Sequence, residues 1–551
     1  MTTEAVTSLG HAPTPLDADR GTGIRNPILP GFHPDPSILR VGEDYYLATS
    51  TFEWYPGVRL HHSRDLVHWR PLGGILDETR LLDLSGVPDS GGIWAPCLSY
   101  AHGLFHLVYT RVDNHVGGWW DSQNYLTTAA DPAGPWSDPV PLHARGFDAS
   151  LFHDPDGTCW LLSLTADWRP GHDPFGGIQA QSIDCRTRAL TGDVHQIYQG
   201  TSAGVTEGPH LYRRDGWYYL VTAEGGTSWN HQVTTARSRT VLGPYEADPA
   251  GPTLTSRHRP DLLLQKAGHG SLVETGTGDW YLAHLVGRPV GEHRRCILGR
   301  ETALQPVTWS PEGWPRVDGG IPAGSIPAPP LPAHPWPADP ATDTFTGPRL
   351  GPHWSTLRRP AGPDWIDLST PGRLRVHGGQ SPRGKRAPSL VARRATSLHC
   401  ALETTIDFTA AGPHQFAGIT AYYDTVNWHY AYLHPHPEGR ALSVLTCDDG
   451  NRITHGEPVV LPASGPVDLR VAIEGERVRF AFALAPNRFW TGLDADCDAT
   501  ILSDEYAGEK NAPAEREGSP AFTGGFLGLW VHDLGADGGY ADFTGATYTQ
   551  R

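Results

Sequence analysis

Positive charge is in short supply in this chain: 43 Lys and Arg residues stand against 60 Asp and Glu, for a net charge of −17. So acidic a surface argues against nucleic acid and anionic membranes as partners, and a neutral substrate fits better. Long apolar runs are missing as well, which argues against a transmembrane helix. Cysteine is sparse. The seven residues (Cys97, Cys159, Cys185, Cys296, Cys400, Cys447, Cys497) are scattered, odd in number and form no C-x-x-C pair. That pattern speaks against a disulfide framework and against a zinc site, and for a reducing compartment. Residues 1–25 lack the basic segment and apolar core of a secretory signal and read as a mobile polar tail. The expected location is cytoplasmic.

What the chain does have is glycine (64), proline (50) and tryptophan (19) in 551 residues, a composition that favours many short strands and tight turns. Five stretches open alike, with a polar residue, a spacer, a small residue and a hydrophobic strand. They begin at Asp35, Cys97, Asp148, Glu207 and His269, and each leads through a turn into an aromatic or apolar strand such as Tyr45-Tyr46-Leu47 or Trp217-Tyr218-Tyr219-Leu220. A recurrence of roughly fifty to sixty residues predicts propeller blades. Residues 26–325 are therefore expected to form a five-bladed β-propeller. A proline-rich stretch over 326–342 reads as a linker, a stiff strap lying against a surface. Beyond it, from 343 to 551, period-two alternation such as Val467-Asp468-Leu469-Arg470-Val471 predicts an antiparallel β-sandwich. The whole chain reads as all-β.

Inner strands of a propeller begin near one mouth of the central channel. Asp35, Asp148 and Glu207 would then share a pocket, and carboxylates held that close cannot all ionise at their ordinary pKa. Splitting their pKa values is what pairs a general acid with a general base, the requirement of glycoside hydrolysis. A single Asp near a strand start is more commonly a turn cap; the common register across blades is what favours a pocket. His269 is open between a substrate contact, a metal ligand and a satisfied buried histidine. Alone it supplies too few ligands for zinc, whereas carboxylates and waters leave room for a hydrated calcium ion on the axis. Cys97 reads as a small axial filler. Phe52, Trp54, Tyr55, Trp94, Trp119, Trp120 and Trp229 fall in loops that would rim the pocket, where flat rings cover the apolar faces of sugars. Arg300 is divided between a sugar contact and an ordinary salt bridge.

These motifs carry a resemblance. Asn26-Pro27 with Asp35-Pro36-Ser37, Ala48-Thr49-Ser50-Thr51-Phe52-Glu53-Trp54, Gly92-Ile93-Trp94-Ala95-Pro96, Gly146-Phe147-Asp148-Ala149-Ser150, Thr206-Glu207-Gly208-Pro209-His210 and Leu298-Gly299-Arg300-Glu301-Thr302 together resemble glycoside hydrolase family 43, and within it the two-domain β-xylosidases. The resemblance implies a five-bladed propeller with a β-sandwich and an inverting exo-hydrolase that releases terminal D-xylose from β-1,4-xylooligosaccharides without a required cofactor. It implies Asp35 as general base, Glu207 as general acid and Asp148 as the carboxylate that orients the acid and raises its pKa. Substrate binding would fall to Arg300, Phe52, Trp94, His269 and Phe522, the last reaching over from the sandwich to close the pocket. Many relatives have an acidic residue where this chain has Cys97. A mainly α-L-arabinofuranosidase activity and a non-catalytic carbohydrate-binding propeller stay open as alternatives, as does a homo-oligomer, dimer or tetramer.

Overall fold

Five antiparallel sheets follow one another along the chain, each started by a strand that lies at the centre of the ring. The computed structural model describes residues 23–115, 119–486, 489–510 and 521–551. The central strands are Ser37–Val41, Gly92–Ala101, Ser150–His153, Glu207–Arg214 and Gln265–Glu274, and each pairs with the next strand in its own sheet. Four strands make each blade, with a fifth short strand, Leu254–Thr255, attached to the fourth blade. Because a central strand is covered on both faces, it cannot alternate apolar with polar. Nine of the ten residues of Gln265–Glu274 are buried, and small residues at the axis make that crowding tolerable.

The ring closes through side chains and backbone of the first described residues. Gly23–Arg25 pairs antiparallel with Ser325–Pro327, and Asn26 Nδ2 donates to the Leu304 and Ala323 carbonyls at 2.8 and 2.9 Å. Two expectations are corrected here. Residues 23–25 are not tail but strand, and the strap expected over 326–342 begins inside that same strand pair. Sequence pattern hides this because a three-residue pairing leaves no period to read. Farther along, the strap lies on blade one, where Arg70 stacks over Trp336 at 3.7 Å and Trp336 Nε1 donates to the His68 carbonyl at 3.2 Å.

Two large antiparallel sheets form the second domain and enclose a core that includes Leu402, Ile419, Leu469, Val471, Leu529 and Phe543. One of them borrows its edge strand from the propeller: Trp54–Tyr55 pairs with Trp354–Leu357. Asp504–Lys510 is the one α-helix among the described residues. Trp54 and Tyr55, expected at the pocket rim, are instead interior. Trp54 stacks on Phe526 of the sandwich with centroids 3.9 Å apart, and the Tyr55 hydroxyl donates to the Leu82 carbonyl at 2.6 Å. Joining two domains demands apolar area, and these rings supply it.

Candidate active site

One backbone feature recurs at the mouth of every blade. Asp35, Ala95, Asp148, Gly208 and His269 have φ of 54°, 33°, 55°, 57° and 47°, the left-handed region that side-chain-bearing residues seldom adopt. Such a kink is locally unfavourable and persists only where surrounding structure holds it. Here it turns the chain sharply into each central strand and leaves the kinked residue facing the channel. The equivalence corrects the expected register in two blades. In blade two the matching residue is Ala95; Cys97 sits two residues deeper, beside Ser37, whose Oγ accepts the Leu98 N–H at 3.0 Å. In blade four the match is Gly208, so Glu207 reaches in from the preceding position. The ladder is irregular at this point in blades two, four and five alike, between Trp94 and Cys97, Glu207 and His210, and Gly268 and Gly270.

Asp35 is 6 % exposed and held from three sides. Ser50 Oγ donates to its Oδ2 at 2.7 Å, Arg300 Nη1 donates to Oδ1 at 3.3 Å, and His269 Nδ1 lies 3.7 Å from Oδ1. Burial alone would push this carboxyl up, but the Arg300 charge, His269 and the Ser50 hydrogen bond outweigh it and hold it below its ordinary value. Asp148 goes the other way. Burial and the neighbouring Asp35 charge push it up to about 8, against a hydrogen bond that its Oδ2 accepts from the Gly208 N–H at 3.1 Å. Glu207, adjacent to that N–H, is raised well above the usual carboxylate range by burial, then by Asp148 and Asp35. One carboxyl is thus drawn below its ordinary value and two are pushed above theirs, the split an acid–base pair needs.

Arg300 is 3 % exposed and joins the two domains at this point. Its Nη1 also donates to Thr227 Oγ1 at 3.0 Å, while Nε and Nη2 donate to the Phe522 carbonyl at 3.3 and 3.2 Å. The Phe52 and Phe522 rings flank its guanidinium at 5.3 and 5.0 Å, and Trp94 meets Phe522 edge-on at 5.2 Å. Phe52, Trp94, Phe522, Arg300 and His269 therefore form one wall beside the carboxylates. Trp120 packs edge-on against Phe147 at 5.0 Å, one layer farther out. Trp119, 60 % exposed, stacks on Trp168, and Trp229 is covered by Arg294 at 3.8 Å. Gly117 and Gly118 of the same expected loop lie outside the described residues.

Sequence reasoning passed over Ser50, Thr227, Thr110 and Ser90. Ser50 donates to Asp35 and accepts the Ala95 N–H at 2.7 Å; Thr110 Oγ1 accepts the Asp148 N–H at 3.1 Å; Ser90 Oγ accepts the Phe522 N–H at 2.9 Å. Ser50 lies inside a quoted motif, so a signal existed. The others had none: Thr227 and Ser90 are isolated hydroxyls in loops, and Thr110 sits in the strand Leu104–Asn114 with no spacing that singles it out.

Comparison with known proteins agrees with this two-domain architecture. The family model for glycosyl hydrolases family 43 matches residues 24–315, and that for the beta xylosidase C-terminal concanavalin A-like domain matches residues 342–549. A xylosidase/arabinosidase 43B of Humicola insolens is 42% identical over 527 residues, covering 94% of this chain and 96% of that one. A xylan 1,3-beta-xylosidase of a Vibrio species is 40% identical over 540 residues, covering 95% and 98%. Among solved structures, the xylan beta-1,4-xylosidase of Bacillus halodurans C-125 superposes with a TM-score of 0.92 at 46% identity, covering 96% of this chain and all of that one.

Proposed function

The chain belongs to glycosyl hydrolases family 43, and from that premise we propose that it is an inverting exo-glycosidase releasing terminal D-xylose from β-1,4-xylooligosaccharides. One arrangement carries the reading: Asp35, paired with Arg300 and Ser50, shares a pocket walled by Arg300 and aromatic rings with Asp148 and Glu207, whose carboxyls are pushed up. The terminal sugar lies against Phe52, Trp94 and Phe522, with an Arg300 N–H directed at a hydroxyl. Asp35 removes a proton from water as the oxygen attacks the anomeric carbon. Glu207 gives its proton to the departing glycosidic oxygen, so the bond breaks with inversion of configuration. Asp35 ends protonated and Glu207 ionised, and exchange with solvent restores both. Asp148, which accepts the Gly208 N–H, orients Glu207, and burial together with the pocket's other carboxylates keeps the proton affinity of Glu207 high.

The second domain supports cleavage at chain ends, because Phe522 and its backbone carbonyl cover one side of the pocket. The names of the relatives favour a second activity on α-L-arabinofuranosyl groups, and the Vibrio relative's name raises β-1,3-linked xylose as an alternative linkage. NMR of the first product from xylobiose tests the main reading: α-xylose is expected, and β-xylose would overturn it. Comparing turnover of the aryl β-D-xyloside with that of the aryl α-L-arabinofuranoside ranks the two activities.

The reaction uses carboxylates and water and needs no cofactor. A calcium ion bound directly on the axis does not match the donors there. His231 and His269 lie beside Arg300 and Asp35, with His210 next to His269, whereas calcium takes six to eight oxygens. No step is routed through such an ion. We further read the protein as cytoplasmic, supported by seven free cysteines, and as a homo-oligomer, to be tested by sedimentation. No helix among the described residues is long and apolar enough to cross a membrane.

A further inference from the structure

Sequence spacing argued against a zinc site, yet the fold gathers three metal-ligating side chains far from the carboxylates. His153 ends the central strand of blade three, Cys159 begins the next strand, and Cys185 follows the third. All three chain segments meet at the blade's far end, five residues and roughly 15 Å along an extended strand from Asp148. The donor atoms of His153, Cys159 and Cys185 all lie within 4.8 Å of one another, and His153 Nδ1 is 3.2 Å from Cys159 Sγ. Ligands at 2.0–2.3 Å from a tetrahedral zinc ion stand roughly 3.5–3.8 Å apart, so an adjustment of at most about 1 Å, within reach of side-chain rotation, closes the site.

The outer contacts suit a metal as well. His153 Nε2 lies 3.0 Å from Ser99 Oγ of blade two. With the proton on Nε2 and donated to Ser99, the Nδ1 lone pair faces the two sulfurs, the tautomer and orientation that a ligating histidine requires. His106 of blade two packs against the His153 ring with centroids 5.0 Å apart and limits its rotation. Cys159 is buried while His153 and Cys185 are half-exposed, which leaves solvent access for an ion and for a water as fourth ligand. A relaxed disulfide fits the pair less well. Cys159 is paired with Ile183, so Cys185 lies on the diagonal two residues on. Diagonal Cα atoms are about 7–8 Å apart, beyond the usual 4.4–6.8 Å of a disulfide.

We propose that His153, Cys159 and Cys185 form a binding site for a soft divalent metal of the zinc class, bracing blades two and three at the end of the propeller opposite the active site. Binding replaces the two thiol protons, which pass to solvent, with two metal–sulfur bonds.

Cobalt(II) titration of the reduced, metal-free full chain tests this. One equivalent is expected to produce thiolate charge-transfer and tetrahedral ligand-field absorption that zinc displaces. Cys159→Ser and Cys185→Ser should each abolish the absorption, and Cys97→Ser should retain it. In the wild-type protein, zinc should slow alkylation of Cys159 and Cys185, followed by peptide mass spectrometry, on the order of tenfold. Absence of the charge-transfer band, its survival in either serine variant, unchanged alkylation with zinc, or a Cys159–Cys185 disulfide in protein kept under reductant would each overturn the proposal. The alkylation experiment needs no variant, so it stands even if a substitution prevents folding.

Discussion

Arg300 of the propeller donates two hydrogen bonds, from Nε and Nη2, to the backbone carbonyl of Phe522 in the sandwich. The same guanidinium neutralises Asp35 through Nη1. The counter-charge of the proposed base is therefore oriented by the other domain. The planar fork holds these acceptors in one fixed geometry, which a freely rotating ammonium on a flexible stem does not.

Replacing that fork by a neutral group isolates its electrostatic part. In Arg300→Gln, burial acts on Asp35 with His269, Ser50 and His231 left to oppose it. Its pKa should rise into or above the ordinary carboxylate range. The acid limb of the kcat/KM profile, set in the wild type by a carboxyl below its ordinary value, should move up by at least about one pH unit. A limb that stays in place would remove Asp35 from the role of base.

Glu207→Gln should lose about 10²- to 10⁴-fold in kcat on xylobiose, the usual worth of a general acid. Loss on a xyloside with a good aryl leaving group should be much smaller, because little protonation is needed there. Equal losses on both substrates would assign Glu207 some other task.

The same substitution should stabilise the fold, in a definite pH window. Glu207 has a folded pKa raised well above its ordinary value. Its contribution is fully present below the ordinary carboxylate range and is lost as pH rises towards the folded value. Gln, neutral at every pH, escapes that loss. Thermal denaturation should give Glu207→Gln a higher Tm than wild type at pH 7, with the gap closing toward pH 4. Asp148→Asn should follow the same course, since Asp148 is pushed up to about 8. A Tm difference that does not vary with pH would mean the carboxyl is not under this strain.

Much of this site was legible because its parts repeat. Asp35, Asp148 and His269 hold the same kinked position in three blades, and a common register survives in sequence whenever no residue is inserted. In the other two blades the kinked residues are Ala95 and Gly208, which carry no chemistry to mark them, so Cys97 was matched two residues too deep and Glu207 one residue early. Trp54 and Tyr55 misled for a different reason. Composition marks a segment as loop-like, but it cannot show that another domain will pair with it. The gathering of Cys159, Cys185 and His153 was invisible because strand pairing, not spacing, brings them together.

Gly208 joins backbone strain to the chemistry. Its φ is +57°, and a Cβ there would stand 3.0 Å from the Cε1 atom of His269. Gly208→Ala must either flatten the kink or push the imidazole away, at a cost of about 1–2 kcal/mol. Either shift displaces the N–H that Asp148 accepts and the adjoining Glu207. We expect kcat to fall about 10²-fold, the scale of a 1 Å misplacement, with Tm lowered by a few degrees. Wild-type kcat in this variant would show that the kink is not needed to aim Glu207.

Trp54 tests whether the two domains act as one folding unit. It is fully buried and stacks on Phe526, while its backbone extends the sandwich sheet by pairing with Leu357. Two residues earlier, Phe52 lies against Arg300, and one residue earlier the Glu53 carbonyl accepts the Arg358 N–H at 2.8 Å. Trp54→Ala should cost about 3–5 kcal/mol, the range for removing a large buried ring. Because the ring is shared, the loss should lower the stability of both domains together. Denaturant unfolding of the wild type, followed by fluorescence and by residual activity, should give coincident transitions, and the variant should shift both equally. Separate transitions, with activity following the propeller alone, would show that Phe522 and the sandwich are dispensable to the site.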